Sequence, residues 1–379
     1  MRLRSHLWFQ RSLRGLFLTT LLLCNARPSV FAAESSLASD LDSVRTQYHL
    51  PALAGAIFTT EGVIDMAAVG VRKAGTPIPV TQNDLWHLGS DTKAMTATLA
   101  GTFVAEKCLS WNDKVASFFP EIANRIPASM KTITLRQVMA HEAGLVENLD
   151  WTALSKQGSF PEQRRAAARL ALTSPAYAPG TFHYANTDYV VVGAVLEKLG
   201  GKPWEDLIRE RIFQPLGMTT AGFGGTATPG KLDQPWPHLD SGVPDPSNGA
   251  IMYTREILGP AGTVHCSMAD WARFLSDQLR GGAGMKALLP NRIYEAIQTP
   301  YPGSIYGLGW GVVSDQAWTP GKVLTHDGSN GVNYCTCWLS LSKKFGVLVC
   351  SNQGGDQMQK ACDAAASLMV LRYLHTANP

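Results

Sequence analysis

The sequence predicts an α+β fold. One antiparallel sheet is formed by the N- and C-terminal segments, is flanked by helices, and carries an inserted, mostly helical region. Three observations predict it. Strand-like runs lie at both ends of the chain, helix-like runs fill the middle, and no linker separates them into independent domains.

The elements follow in order. A short helix over about 36–48 precedes two strand-like runs, "LAGAIFTT" and "VIDMAAVGV", joined across Glu61-Gly62, a hairpin signal. "AMTATLAGTFVAEK" is apolar on most faces, as a buried helix is. "TLRQVMAHEAG" reads as a shorter helix ending near Gly144. "DYVVVGAVLEKLGG" ends in Lys198 and a Gly pair, a helix-stop pattern. "PWEDLIRERIF" begins with Pro203, which suits a first helical turn. "SMADWARFLSDQLRGG" has Ser267 and Asp270 as a capping box and stops at Gly281. The stretch 219–262 is rich in Pro and Gly and lacks periodicity, so it is either a functional or mobile loop or a solvated connection. "YGLGWGVV", "NYCTCWLSL" and "FGVLVCSN" are strand-like, and a helix over about 355–375 closes the chain.

Residues 1–33 read as a cleavable secretory signal, leaving one domain over 36–377. Arg2, Arg4, Arg11 and Arg14 precede the apolar run "LFLTTLLLC", and "SVFAAES" offers a cut after Ala32 or Ala33. Acylation at Cys24 and an uncleaved anchor are the alternatives. Leu23 is larger than lipoprotein processing prefers, and no second apolar run of 18 or more residues occurs. The expected location is therefore secreted or periplasmic, without a stable membrane anchor.

Removing the signal takes five arginines, so Lys+Arg falls from 33 to 28 against 30 acidic residues. A near-neutral chain gives no reason to expect nucleic acid or an anionic surface as a partner. Cys108, Cys266, Cys335, Cys337, Cys350 and Cys362 remain. Export would permit disulfides, and a hairpin through "SKK" brings Cys350 opposite Cys335 or Cys337 within a register step. The C-x-C spacing without a paired C-x-x-C argues for buried thiols or disulfides rather than zinc.

Chemistry enters at "LGSDTKAM". Ser90 stands where a helix begins, beside free N–H groups and the positive end of the helix dipole. Lys93, three residues on, shares its face, and an apolar setting would disfavour the charged amine. Alone, this pair equally describes a serine cap and a solvated lysine. Two further elements supply context. Tyr184, Ala185 and Asn186 stand just ahead of a helix, and His326, Asp327 and Gly328 lead into a strand. The order S-x-x-K, Y-x-N, H-x-G is specific where each part is not.

With these motifs the chain resembles the serine β-lactamase and penicillin-binding superfamily, in the class C β-lactamase-related branch that also holds DD-peptidases, D-aminopeptidases and carboxylesterases. The resemblance covers about 38–375 and includes "TLRQVMAHEAGL", "IFQPLGM" and "GPAGTVHCSMADWARF". It implies a β-lactamase/transpeptidase-like fold and a serine hydrolase acting through an acyl-enzyme, with no metal or organic cofactor. It implies Ser90 as nucleophile, Lys93 and Tyr184 exchanging its proton, and Asn186 orienting Lys93 and substrate. It also implies an oxyanion hole from the N–H groups of Ser90 and Ser329, with Ser329 on the edge strand. His326, Asp327, Gly328 and Ser329 would line the substrate. Esters or amides, including peptides, are the implied substrates. The alternatives are β-lactams or peptidoglycan peptides, and a low-turnover penicillin-binding receptor.

Asp327 departs from the K-T-G pattern of class C β-lactamases. In the cleft, its carboxylate would repel a substrate carboxylate and favour esters, amides lacking that group, or substrates bearing an amine. Turned away into a salt bridge, it would do neither. "DGSNG" is not a G-x-S-x-G elbow, because Asp327 stands where the first glycine is required. His141, His183, His238 and His265 lack metal-ligand spacing, and His141 is expected to support the fold. Tyr306 and Trp310 are expected in the core or the pocket wall.

Overall fold

The computed structural model describes residues 36–228, 230–247 and 256–377. The expected signal segment lies outside them. Helix α1 (Leu37–Gln47) is capped by Ser36, whose side chain accepts from the Ser39 N–H. Strands β1 (Ala52–Thr59) and β2 (Gly62–Gly70) form the expected hairpin. Next come β3 (Leu85–His87) and the long buried helix α2 (Thr92–Ala105).

The helical region continues with α3 (Leu135–Met139), α4 (Phe160–Thr173) and α5 (Asn186–Gly200). Helix α5 ends on Gly201 in the left-handed conformation, φ 65°, as the Gly pair implied. Helix α3 is shorter than the sequence suggests. His141 adopts φ 61°, and the Glu142 N–H returns to the Gln137 carbonyl at 2.8 Å, closing the helix at Met139.

Strand β4 (Gly222–Phe223) and strand β5 (Val264–Ser267) complete a small sheet in the order β3-β5-β4. Helix α6 (Met268–Gly282) starts at Ser267, which caps the Asp270 N–H at 3.2 Å. The Asp270 carboxylate does not complete the expected box; it takes the Thr220 N–H and hydroxyl, both at 2.6 Å.

Strands β6 (Gly311–Gln316), β7 (Thr319–Ser329), β8 (Tyr334–Ser340) and β9 (Phe345–Ser351) precede the final helix α7 (Met358–Ala377). The main sheet has six antiparallel strands in the order β2-β1-β9-β8-β7-β6, so the two ends of the chain meet at the β1–β9 pair. Residues 306–310 are not strand. They loop back on themselves, with the Gly307 N–H on the Trp310 carbonyl at 2.8 Å, and pairing begins at Gly311.

Alternation along β1 shows why the sheet is covered on both faces. Ala52, Ala54, Ala56 and Phe58 enter a core shared with α2, α5 and α6. Leu53 and Ile57 enter a second core with α1 and α7. Apolar burial on both faces is the main stabilising contribution to such a layered fold. Cys335 and Cys350 face each other directly in the β8–β9 register, and all six cysteines from Cys108 onward are free thiols, with Cys108 exposed and the others buried. Among the described residues no His/Cys/Asp/Glu group could hold a metal ion, and no helix is long and apolar enough to cross a membrane.

Candidate active site

Ser90 sits in a single 3-10 turn, Gly89–Asp91, that runs directly into α2. The turn is anchored by the small sheet: Leu88 N–H donates to the Val264 carbonyl at 2.9 Å, and Val264 N–H donates to Thr92 Oγ1 at 3.1 Å. His87 Nδ1 accepts the Gly89 N–H at 3.1 Å. Gly89 has φ 51°, and a side chain there would meet the Ser329 backbone nitrogen at 2.5 Å. The turn therefore presses against the end of β7. A side chain on Gly328 would meet the Leu88 carbonyl at 1.8 Å, so both glycines are required by close backbone approach.

One turn along α2, Lys93 is fully buried. Its Nζ lies 3.1 Å from Ser90 Oγ, 2.9 Å from Asn186 Oδ1 and 2.8 Å from the Ala261 carbonyl. None of these partners carries a charge. Burial pushes the amine down from 10.5 to about 7, against the opposing pull of the Asp188 and Asp91 carboxyls. Asn186, the first residue of α5, is itself oriented. Its Nδ2 donates to Asn148 Oδ1 at 3.0 Å, which turns its own Oδ1 toward Lys93.

Tyr184 is half-buried, and its hydroxyl is hydrogen-bonded to Ser90. Lys93 Nζ stands 4.8 Å from its ring centroid. Burial raises the Tyr184 phenol well above its ordinary range, with the Ser90 hydrogen bond opposing. A neutral amine has two N–H groups and one lone pair. Lys93 Nζ donates to three oxygens, as an ammonium can; in the neutral amine two N–H groups suffice for Asn186 and Ala261, and the lone pair is left for the Ser90 O–H, with Tyr184 hydrogen-bonded to Ser90. The arrangement can draw a proton from Ser90.

His326 and Asp327 point to opposite faces of β7. His326 is buried, with Nε2 2.9 Å from the Tyr306 hydroxyl and Nδ1 2.9 Å from the Asp327 carbonyl. A carbonyl only accepts, so Nδ1 carries the proton and Nε2 accepts from Tyr306. Burial, then the nearby Lys93, holds its imidazole down to about 3. The Asp327 carboxylate accepts from the Thr336 hydroxyl at 2.6 Å, on the face covered by α1 and α7. It is thus turned away from Ser90, with the Thr336 hydroxyl among its partners. Strand β6 pairs with β7 only as far as Thr325, so His326–Ser329 form an open edge although β7 itself lies inside the sheet. Ser329 therefore occupies the local edge expected of it.

The family model described as Beta-lactamase matches residues 37–369. The chain belongs to the Beta-lactamase family. It is 28% identical over 304 residues to penicillin-binding protein 4 of Amycolatopsis lactamdurans, covering 76% of this chain and 77% of that protein. It is 28% identical over 309 residues to a beta-lactamase of Escherichia coli (strain K12), covering 78% and 76%. The octameric penicillin-binding protein homologue from Pyrococcus abyssi shares its fold, with a TM-score of 0.72 at 24% identity over 88% of this chain and 76% of the other.

In this Beta-lactamase-family chain, sequence reasoning missed Asn148 and Ala261. Ala261 contributes only a backbone carbonyl, from the short helical segment Gly259–Gly262 at the end of the Pro- and Gly-rich stretch. Pro260 supplies the neighbouring carbonyl to the Thr96 hydroxyl at 2.7 Å. No residue type marks a backbone carbonyl for either role; only the fold brings that stretch to α2.

Proposed function

We propose that the chain is a serine hydrolase that forms an acyl-enzyme at Ser90, with Lys93 as the base. The observation that carries this is the buried Lys93 amine 3.1 Å from Ser90 Oγ, hydrogen-bonded to uncharged partners and lowered by burial to about 7. Ser90 Oγ attacks a carbonyl carbon as its proton passes to Lys93 Nζ. Collapse of the intermediate expels an alkoxide or amine, which takes that proton directly or across the Tyr184 hydroxyl. Water then attacks the acyl carbon, and the proton path runs in reverse. Tyr184 acts as a phenol, because its proton is held too tightly to leave it a free phenolate. The N–H groups of Ser90 and Ser329 would receive the developing oxyanion.

Esters or amides, including peptides, are the proposed substrates. β-Lactams and peptides with a free C-terminus form a second reading. It is supported by the hydrogen bond from Thr336 to Asp327, which turns that carboxylate away from Ser90, and by the penicillin-binding and β-lactamase relatives. We also propose export, on the basic start and apolar run ahead of Ala32 and Ala33.

The test is a panel of short-chain esters, D-amino-acid peptides and a chromogenic cephalosporin, run on wild type and Ser90→Ala. Unchanged hydrolysis in Ser90→Ala would sink the mechanism. Mass spectrometry after incubation with a β-lactam separates turnover from a persistent adduct, the mark of a receptor. N-terminal sequencing of secreted protein checks the cut.

A further inference from the structure

Behind Tyr184 lies a second pair of titratable groups that the proposed mechanism does not use. His141 and Asp188 are both buried, and Nδ1 of His141 lies 2.7 Å from Oδ2 of Asp188. His141 also holds the segment carrying Tyr184. The His183 N–H donates to its carbonyl at 2.8 Å, the Ala185 N–H donates to its Nδ1 at 3.2 Å, and its ring packs against the Tyr184 ring at 4.4 Å. Its left-handed backbone, φ 61°, is unusual for a residue with a side chain.

Three observations locate the proton between them. A backbone amide can only donate, so the Ala185 N–H at 3.2 Å favours a lone pair on Nδ1 over an N–H. The 2.7 Å contact to Asp188 is then an O–H of the carboxyl sharing that one lone pair. Oδ1 of Asp188 has no hydrogen-bond partner among the described residues; an ionised carboxylate would leave a charged oxygen bare in the core, whereas a neutral acid leaves only a carbonyl oxygen. The His141 ring is enclosed by those of Tyr184, Tyr189 and Tyr306, and no hydrogen-bond acceptor among the described residues meets Nε2, so the surroundings disfavour an imidazolium and leave the pair neutral.

We propose that His141 and Asp188 form a neutral brace, with the shared proton on Asp188, that positions Tyr184 and withholds negative charge from Lys93. This rests on the reading of Lys93 as the base. The groups facing the brace are Lys93 at the start of α2, Tyr184 and Tyr189 around α5, Tyr306, and His326 on β7; Asp91, in the turn ahead of α2, acts on Lys93. Of these, Lys93 is the one whose charge the brace would most alter: an ionised Asp188 would favour the ammonium, and a neutral acid does not. The directions for both members agree, since burial raises the Asp188 carboxyl and lowers the His141 imidazole.

The test compares Asp188→Asn with Asp188→Ala. An amide donates to Nδ1 as a protonated acid does, so Asp188→Asn keeps the acid limb of the kcat/KM profile in place. Asp188→Ala removes the donor and lowers kcat roughly tenfold to a hundredfold through a loosened Tyr184. If Asp188 is instead ionised, Asp188→Asn moves the acid limb down by about one pH unit or more, and the proposal fails. An activity-free measurement guards against variants that misfold. In Ser90→Ala protein labelled with ¹⁵N-histidine, the His141 signal, assigned by its loss in His141→Gln, should report an unprotonated Nδ1 and a protonated Nε2. A protonated Nδ1 overturns the proposal. Persistent hydrolysis by Ser90→Ala would instead refute the reading of Ser90 and Lys93, while the histidine signal still decides the state of the brace.

Discussion

Gly89 and Ser329 touch: a Cβ on Gly89 would lie 2.5 Å from the Ser329 backbone nitrogen. The turn that presents Ser90 and the strand end that would supply an oxyanion donor are thus positioned by one backbone contact. Gly89→Ala has to push these elements apart while holding alanine at φ 51°. The expected cost is about 2–4 kcal/mol of stability. Ester turnover should fall by roughly a hundredfold. Thermal unfolding and kcat measured on the same preparation check both.

The buried amine sets the pH dependence. With Lys93 lowered by burial to about 7, or further if Asp188 is neutral, kcat/KM on a neutral ester should rise with pH up to the amine's titration and level above it. Lys93→Arg replaces the amine with a permanent cation and should lower kcat/KM by roughly 10²–10⁴-fold at every pH. The folded chain releases this proton near pH 7, whereas an unfolded one holds it to 10.5. Between those values the unfolded state binds more protons, so this group's contribution to stability rises with pH. A rate that does not change between pH 5 and 9 would remove Lys93 from the role of base.

Asp327 is the residue whose placement changes the expected substrate range. Because its carboxylate is bound to Thr336, Asp327→Asn should alter the preference between a neutral ester and its carboxylate-bearing analogue by less than about threefold. A shift of about tenfold or more toward the carboxylate would mean that the side chain faces the cleft after all.

Arg164 connects the core to the site from a distance. It is fully buried, pairs with Glu197 and Glu205 at 2.7 Å each, and donates to the Glu256 carbonyl at 2.7 Å, just ahead of the segment that carries Ala261. Arg164→Met leaves two carboxylates without their cation. The expected loss is about 3–5 kcal/mol, seen in denaturant unfolding. A lower kcat in the surviving folded fraction would trace the effect to the Ala261 carbonyl.

Much of this site was readable from the chain itself. Ser90 and Lys93 share a helix face at i and i+3, and Asn186 starts a helix that the Gly200-Gly201 pair ends. The face occupied by Asp327 was left open: strand alternation puts it opposite His326, but only the burial of His326 shows which of the two faces the site. Ala261 and Asn148 were not readable. Their contacts to Lys93 and Asn186 span 168 and 38 residues, and one is made by a backbone carbonyl that no residue type marks. The same holds for the His141–Asp188 pair, which is 47 residues apart in sequence. Strand β7 was not recognised: His326, Asp327 and Gly328 were read as leading into a strand, whereas they close one, and Pro320, Gly321 and Gly328 interrupt its apolar pattern.

The pairing of β1 with β9 also bears on how the molecule is made. Leu53 waits for Ser351, and Thr59 for Phe345. A growing chain would carry Ser90 and Lys93 long before β9 existed to complete the sheet, and closing so distant a pair is slow. Any fragment ending before residue 345 would lack the strand that seats β1. The surroundings of Ser90 and Lys93 would therefore be completed last, from residues made early, and a nascent chain would lack that site until its final strands arrived.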